Sequence, residues 1–249
     1  MGVLVIDIGT SGLRAGLVRH DGTLHFLNYE ACRPDTPTPG LVEFDAQKLA
    51  EAALRVCNLT IEQSRKTDKI VAVGITNQRA STVIWSKSTG KPFGPALGWQ
   101  DLRTVGECIT AHAEHGIKLA PNQTATKAAW ILKHYIDANK IDHRDVCIGT
   151  VDSFIAATLS NNQLHVTDSS NAAVTGLCEL DARSWSPRLC EILRVDISTL
   201  PKIVTSLGVL GDATALPGAP PIASLIGDQQ SSLIGQACIT SGATKITFG

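Results

Sequence analysis

The sequence predicts an α/β domain, a central mixed sheet flanked by helices, and three observations carry that prediction. Three short β-prone runs open the chain before any helical pattern begins. A stripe of apolar residues at helical spacing follows them. From there, strand-like and helix-like segments alternate to the end.

Gly2 to Asp7 is a short apolar, β-branched run that ends on an acid and a glycine. Leu13 to Arg19 and Leu24 to Tyr29 flank His20-Asp21-Gly22, and Asp-Gly between two such runs signals a hairpin. Arg33 to Leu41 is a loop rich in Pro and Gly. Asp45 is a good helix cap, with Phe44 and Leu49 at the two positions of a hydrophobic staple. Ala46, Leu49, Ala50, Ala53 and Cys57 then mark one buried stripe. Ile70 to Ile75 is apolar at every position but Gly74, which predicts a strand in the middle of a covered sheet. Thr82 to Trp85 reads as a strand with its turn at Lys87 to Lys91. Helices are predicted after Asp101 and from about Thr126 to Asp137. Val146 to Val151 is a strand, Asp152 to Leu159 a short helix, Val174 to Leu180 strand-like, and Ser186 to Leu193 helical. Leu210 to Pro221 reads as a surface crossing. Ile222 to Ile226 is a buried strand, followed by Gly227-Asp228-Gln229-Gln230 and a helix from Ser231.

The 249 residues suffice for a sizeable core, and 43% hydrophobic with 18% charged residues is ordinary for a globular chain. A net charge of −1 offers no basic field for nucleic acid or an anionic membrane surface. No apolar run approaches the roughly 20 residues of a membrane helix. Met1 to Ile8 has no basic leader and Asp7 interrupts it, so a first strand is expected there and not a signal peptide. The seven cysteines are odd in number and widely spaced, with no Cys-x-x-Cys, which predicts free thiols in a reducing, cytoplasmic setting and no zinc site.

The first motif is Asp7-Ile8-Gly9-Thr10-Ser11-Gly12-Leu13-Arg14. An apolar strand delivers Asp7 to its end. The turn that follows offers backbone N–H groups and two hydroxyls to phosphate oxygens, and an acid beside them can hold Mg²⁺. It is neither a P-loop nor a dinucleotide fingerprint, because the glycine spacing is wrong and the turn leads to a strand. Read without chemistry, it is a polar hairpin turn. After that motif come Gly74-Ile75-Thr76-Asn77-Gln78-Arg79, Gly98-Trp99-Gln100-Asp101-Leu102-Arg103-Thr104, Gly149-Thr150-Val151-Asp152, His165-Val166-Thr167-Asp168 and Gly227-Asp228-Gln229-Gln230. A carboxylate within hydrogen-bond reach can take the proton from an alcohol as it attacks phosphorus, and Asp228, at a strand end, is so placed. Local sequence is equally compatible with Asp228 as a helix cap. Arg79 has fixed donors for hydroxyls, and Trp99 a flat face for the carbon side of a sugar. A surface salt bridge and a core tryptophan are the structural alternatives. Asp152 and Asp168 read as turn or cap residues.

These motifs, in this order, resemble the FGGY carbohydrate kinases, with glycerol kinase-like and xylulokinase-like segments. The resemblance runs from near the start of the chain to near its end. It implies the ribonuclease H-like fold of the actin, hexokinase and heat-shock chaperone superfamily. Residues 1–249 are then the N-terminal, substrate-binding domain, with a C-terminal nucleotide-binding domain absent and Gly242 to Gly249 opening its phosphate segment. The implied reaction moves the γ-phosphoryl of ATP, with Mg²⁺, to a hydroxyl of a small sugar or polyol. The implied roles are Asp228 as catalytic base; Arg79, Trp99, Asp228 and Gln229 for substrate; Gly9, Thr10, Ser11 and Arg14 for phosphate; and Asp7 for metal. A homodimer of the full-length protein fits the resemblance, and the isolated chain is expected to be inactive. Two departures stand out. Glycerol kinases carry a glutamate where this chain has Ala80, and a pocket tyrosine maps near Asn122, which points to a substrate other than glycerol. A non-catalytic sugar sensor and an actin-like nucleotide switch are the alternative functions.

Overall fold

The computed structural model describes residues 1–248. The chain opens with β1 (Gly2–Ile8), β2 (Gly12–Arg19) and β3 (Leu24–Ala31), then β4 (Glu43–Phe44) and α1 (Ala46–Ser64). β5 (Ile70–Asn77), β6 (Thr82–Ser86) and β7 (Ala96–Leu97) lead to α2 (Val105–His115) and α3 (Thr124–Ile131), which runs on through one π-helical turn at Leu132–Asp137. β8 (Val146–Thr150), α4 (Val151–Leu159), β9 (Val166–Asp168), α5 (Ser169–Ala172) and α6 (Pro187–Ile192) follow. β10 (Lys202–Val204), β11 (Leu207–Asp212), β12 (Pro221–Gly227) and α7 (Asp228–Gly235) complete the fold.

Six strands form the main sheet in the order β11-β12-β5-β1-β2-β3. β1 runs antiparallel to β2 and parallel to β5, and β5 is parallel to β12, so the sheet is mixed. The predicted hairpin joins β2 to β3. β5 is interior, as its apolar run required. It alternates, however: Val73, Ile75 and Asn77 are buried while Ala72, Gly74 and Thr76 are only half-buried, because helices close one sheet face and leave the other partly open. α1 covers the closed face together with α4. Asp45 caps α1 by accepting from the Lys48 N–H at 3.0 Å, and the predicted stripe is buried throughout.

A second, four-stranded sheet has the order β4-β7-β6-β8. Period-two alternation makes β6 a divider. Val83 and Trp85 enter the core under the main sheet, while Ile84 points into a second core with Ala128, Ile131 and Ile148. Three expectations need correction. Val174 to Leu180 is not a strand: its only ladder contact is an isolated bridge, Cys178 to Trp185. Leu207–Asp212 is an edge strand paired with β12, so the predicted surface crossing starts only after Asp212. The last helix begins at Asp228 and not at Ser231, so Asp228 is its first residue and Gly227 its cap. No helix among the described residues is long and apolar enough to cross a membrane. All seven cysteines are free, and Cys57, Cys108, Cys147 and Cys190 are buried; burial pushes the Cys57 thiol up to about 12.

Candidate active site

The parallel strands β5 and β12 end side by side, Asn77 opposite Gly227. The residues that follow these ends, Arg79 and Asp228, face each other, with Arg79 Nε 3.5 Å from Asp228 Oδ1. Gly227 is required for this approach, because a Cβ there would sit 2.4 Å from Arg79 Cδ. Asp228 is anchored locally by the Gln229 N–H at 2.7 Å. Both side chains line a cavity of about 450 Å³, which also takes in Thr10, Trp99 and Gln229. Three buried polar atoms make no hydrogen bond: Thr76 Oγ1, Gln230 Oε1 and Arg79 Nε, which has only its ion pair with Asp228. Such atoms carry a desolvation cost, and of the three only Arg79 Nε belongs to a residue that lines the cavity.

Trp99 is more than a third exposed, so it is not a core tryptophan. Its backbone N–H donates to Ser81 Oγ at 3.0 Å and its indole N–H to Thr10 Oγ1 at 3.2 Å. The loop beneath it is tied down by the rest of its motif. Asp101, fully buried, accepts from Val42 N–H at 2.6 Å and from Arg103, whose guanidinium also reaches Glu43 at 2.6 Å. Lys127, wholly buried on α3, donates to the Gly98 carbonyl at 3.0 Å. Burial pulls its ammonium down to about 7, against the opposing pull of Asp101. Gln229 turns its amide oxygen toward Lys245 and Thr247, each at 3.0 Å.

The β1–β2 turn forms the adjoining rim. Gly9 N–H closes it on the Gly12 carbonyl at 2.9 Å, and Thr10 is the turn residue that enters the cavity. Asp7, Gly9, Ser11 and Arg14 lie outside the cavity lining. Arg14 Nε is 3.4 Å from Asp7. Burial raises the Asp7 carboxyl, Arg14 lowers it, and Asp228 raises it further, which places the two acids within reach of each other's field. Among the described residues no three His, Cys, Asp or Glu side chains converge as a metal site. One or two carboxylates suffice for a Mg²⁺ that takes most of its ligands from phosphate and water, and Asp7, at the end of β1, is a carboxylate of that kind.

The two positions that depart from the glycerol kinase pattern, Ala80 and Asn122, both line the cavity. Ala80 is buried and held at φ +63°. Sequence reasoning missed Gln123, Ala173 and Val174 as lining residues, and Gln78, within the Gly74–Arg79 motif, completes the lining. Gln123 adjoins Asn122, a usable signal; Ala173 and Val174 follow a four-residue helix and carry none. Asp168 does cap that helix, as read. Asp152 is fully buried between the hydroxyls of Thr150 and Thr167, and burial pushes it up to about 6.

With this geometry in view, comparison with known proteins is decisive at the family level. The profile described as the FGGY family of carbohydrate kinases, N-terminal domain, matches residues 2–235. The chain belongs to the FGGY family. The FGGY chain is 37% identical over 260 residues to a glycerol kinase of Trichlorobacter lovleyi, covering 99% of this chain and 52% of the relative. Its fold superimposes on Plasmodium falciparum glycerol kinase, solved with ADP, with a TM-score of 0.92 at 26% identity, covering all of this chain and 52% of that one. Xylulose kinase from Rhodospirillum rubrum shares the fold, with a TM-score of 0.87 at 19% identity over 97% of this chain and 52% of that one. This FGGY chain thus spans about half the length of the relatives it matches.

Proposed function

We propose that this chain is the substrate-binding half of an ATP-dependent kinase that phosphorylates a hydroxyl of a small polyol or ketose. The observation that carries this reading is the convergence of Arg79, Trp99 and Asp228 on one cavity, in a chain of a carbohydrate kinase family. Asp228 accepts the proton of the attacking hydroxyl. Arg79, beside it, donates to neighbouring hydroxyls and keeps the carboxylate oriented. Trp99 packs against the carbon face, and Gln229 offers its amide. The turn at Gly9, Thr10 and Ser11, with Arg14, steadies the phosphoryl group in transit, and Asp7 holds the Mg²⁺ end. Bound Mg²⁺–ATP supplies the phosphoryl group and the counter-charge for it. The adenosine is expected to sit on a C-terminal domain beyond this chain, so the isolated chain binds substrate without turnover.

Glycerol is not the preferred substrate in this reading. Ala80 presents only a methyl group where a glycerol kinase offers a carboxylate, and Asn122 replaces an aromatic side chain. A bulkier polyol or ketose can fill the space and offer a hydroxyl to Arg79, which lines the cavity and whose Nε makes no hydrogen bond. The test is a thermal-shift panel on this chain with glycerol, pentitols, pentuloses, hexuloses and Mg²⁺–ATP. Stabilisation by a five- or six-carbon ligand above that by glycerol is expected. Stabilisation by Mg²⁺–ATP alone, or by glycerol above all others, overturns the reading.

A further inference from the structure

We infer that Asp168 is a positioning residue that orients both Arg79 and Asp228 from beneath the cavity. It touches neither. Asp168 ends β9 and is completely buried. Capping α5 occupies it with two backbone donors, Ser170 N–H at 3.1 Å and Asn171 N–H at 3.0 Å. Three side chains donate to it as well: Ser170 Oγ at 2.7 Å, Asn171 Nδ2 at 2.9 Å and Ser206 Oγ at 2.7 Å. A four-residue helix does not need these, and two of them lead to the site.

The first branch runs through Ser170. A carboxylate can only accept, so the Ser170 hydroxyl proton is committed to Asp168. The hydroxyl oxygen is then free to accept, and it takes the Gly227 N–H at 2.8 Å. Gly227 is the residue before Asp228. The second branch runs through Asn171. Because Asp168 claims Asn171 Nδ2, the Asn171 amide orientation is fixed. Asn171 Oδ1 then accepts from Asn77 Nδ2 at 3.0 Å, and Asn171 Nδ2 also reaches Asn77 Oδ1 at 3.2 Å. Asn77 Nδ2 donates in turn to the Gln78 carbonyl at 2.7 Å, one residue before Arg79. Asn77, Asn171 and Asp168 are all fully buried, where such bonds are strong and a wrongly turned amide is costly. One carboxylate therefore sets the donor direction of two relays that finish on the paired ends of β5 and β12.

The site roles of Arg79 and Asp228 belong to the proposed function, but the relay can be tested without any substrate. The measurement is NMR on this chain: amide exchange at Gly227, the Asp228 carboxyl carbon signal and the Arg79 Nε–H signal. Ser170→Ala should speed Gly227 exchange roughly five- to tenfold, as for one lost hydrogen bond, and shift Asp228 but not Arg79. Ser170→Thr, which keeps the hydroxyl, should restore both. Asp168→Asn should move all three signals while amides at Leu4 and Leu17 stay protected. Unchanged Gly227 and Asp228 signals in Ser170→Ala overturn the inference, as does loosening that spreads evenly to β1 and β2. If Asp168→Asn fails to fold, the Ser170 pair still decides.

Discussion

The two walls of the cavity are built differently. The wall that carries Arg79 and Asp228 rests on a buried polar scaffold of Asn77, Asn171 and Asp168. The wall formed by the β1–β2 turn rests on backbone pairing and on peripheral side-chain contacts, Trp99 to Thr10, Tyr29 Oη to the Ser11 carbonyl at 3.4 Å and Arg14 to Asp7; Ser11 is exposed there and Arg14 half-exposed. On the proposed roles, the difference matches the chemistry of each wall. A base and an arginine that act on one particular hydroxyl need fixed direction, which costs buried, fully paired polar groups. A turn that meets phosphate oxygens offers N–H groups already aimed by the hairpin, and needs little beneath it.

The largest expected contrast is in turnover by the intact protein. Asp228→Asn should lower kcat by about 10²- to 10⁴-fold. Thr10→Ala, on the lighter wall, should cost roughly tenfold or less, the worth of one neutral hydrogen bond. Equal losses in steady-state kinetics would erase the distinction between the walls.

A smaller contrast is expected in stability against pH. Lys127, under the Trp99 loop, ordinarily titrates at 10.5 and here at about 7. Between those values the unfolded chain binds the extra proton, so stability rises with pH from about 7 to 10. Asp152, in the polar layer beside Asp168, ordinarily titrates at 3.8 and here at about 6. There the folded chain binds the extra proton, so stability falls as pH rises from about 4 to 6. Melting temperatures should therefore dip near neutrality. Lys127→Met should flatten the alkaline limb and Asp152→Asn the acid one; limbs that stay unchanged would show that neither burial costs what its surroundings imply.

The smallest effect is at Ala80. A left-handed φ of +63° strains an alanine, and Ala80→Gly should stabilise by about 0.5 kcal/mol after glycine's own entropy is counted. Chemical denaturation measures this; a loss of stability would mean that the methyl group's packing outweighs the strain.

Much of the fold was legible because its signals are short-range. The Asp-Gly hairpin, the stripe on α1 and the apolar run of β5 each follow from residues a few positions apart. Val174 to Leu180 failed for the complementary reason: β-propensity needs a continuous partner, and this segment finds only the single bridge of Cys178 to Trp185. In the site, the motifs supplied Arg79, Trp99, Asp228 and Gln229, and the cavity gathers all four with the departures at Ala80 and Asn122.

By itself, the sequence determined the order of the elements and the kinds of chemistry at the strand ends, because propensity, periodicity and motif spacing are local. Only the tertiary structure decided which distant groups meet. Asn77 pairs with Asn171 across 94 positions, Lys127 is sealed under the Gly98 carbonyl, and Asp168 turns from a helix cap into the root of two relays. Those outcomes depend on how the sheets and α5 pack, and burial makes each polar group there find a partner that no local pattern names.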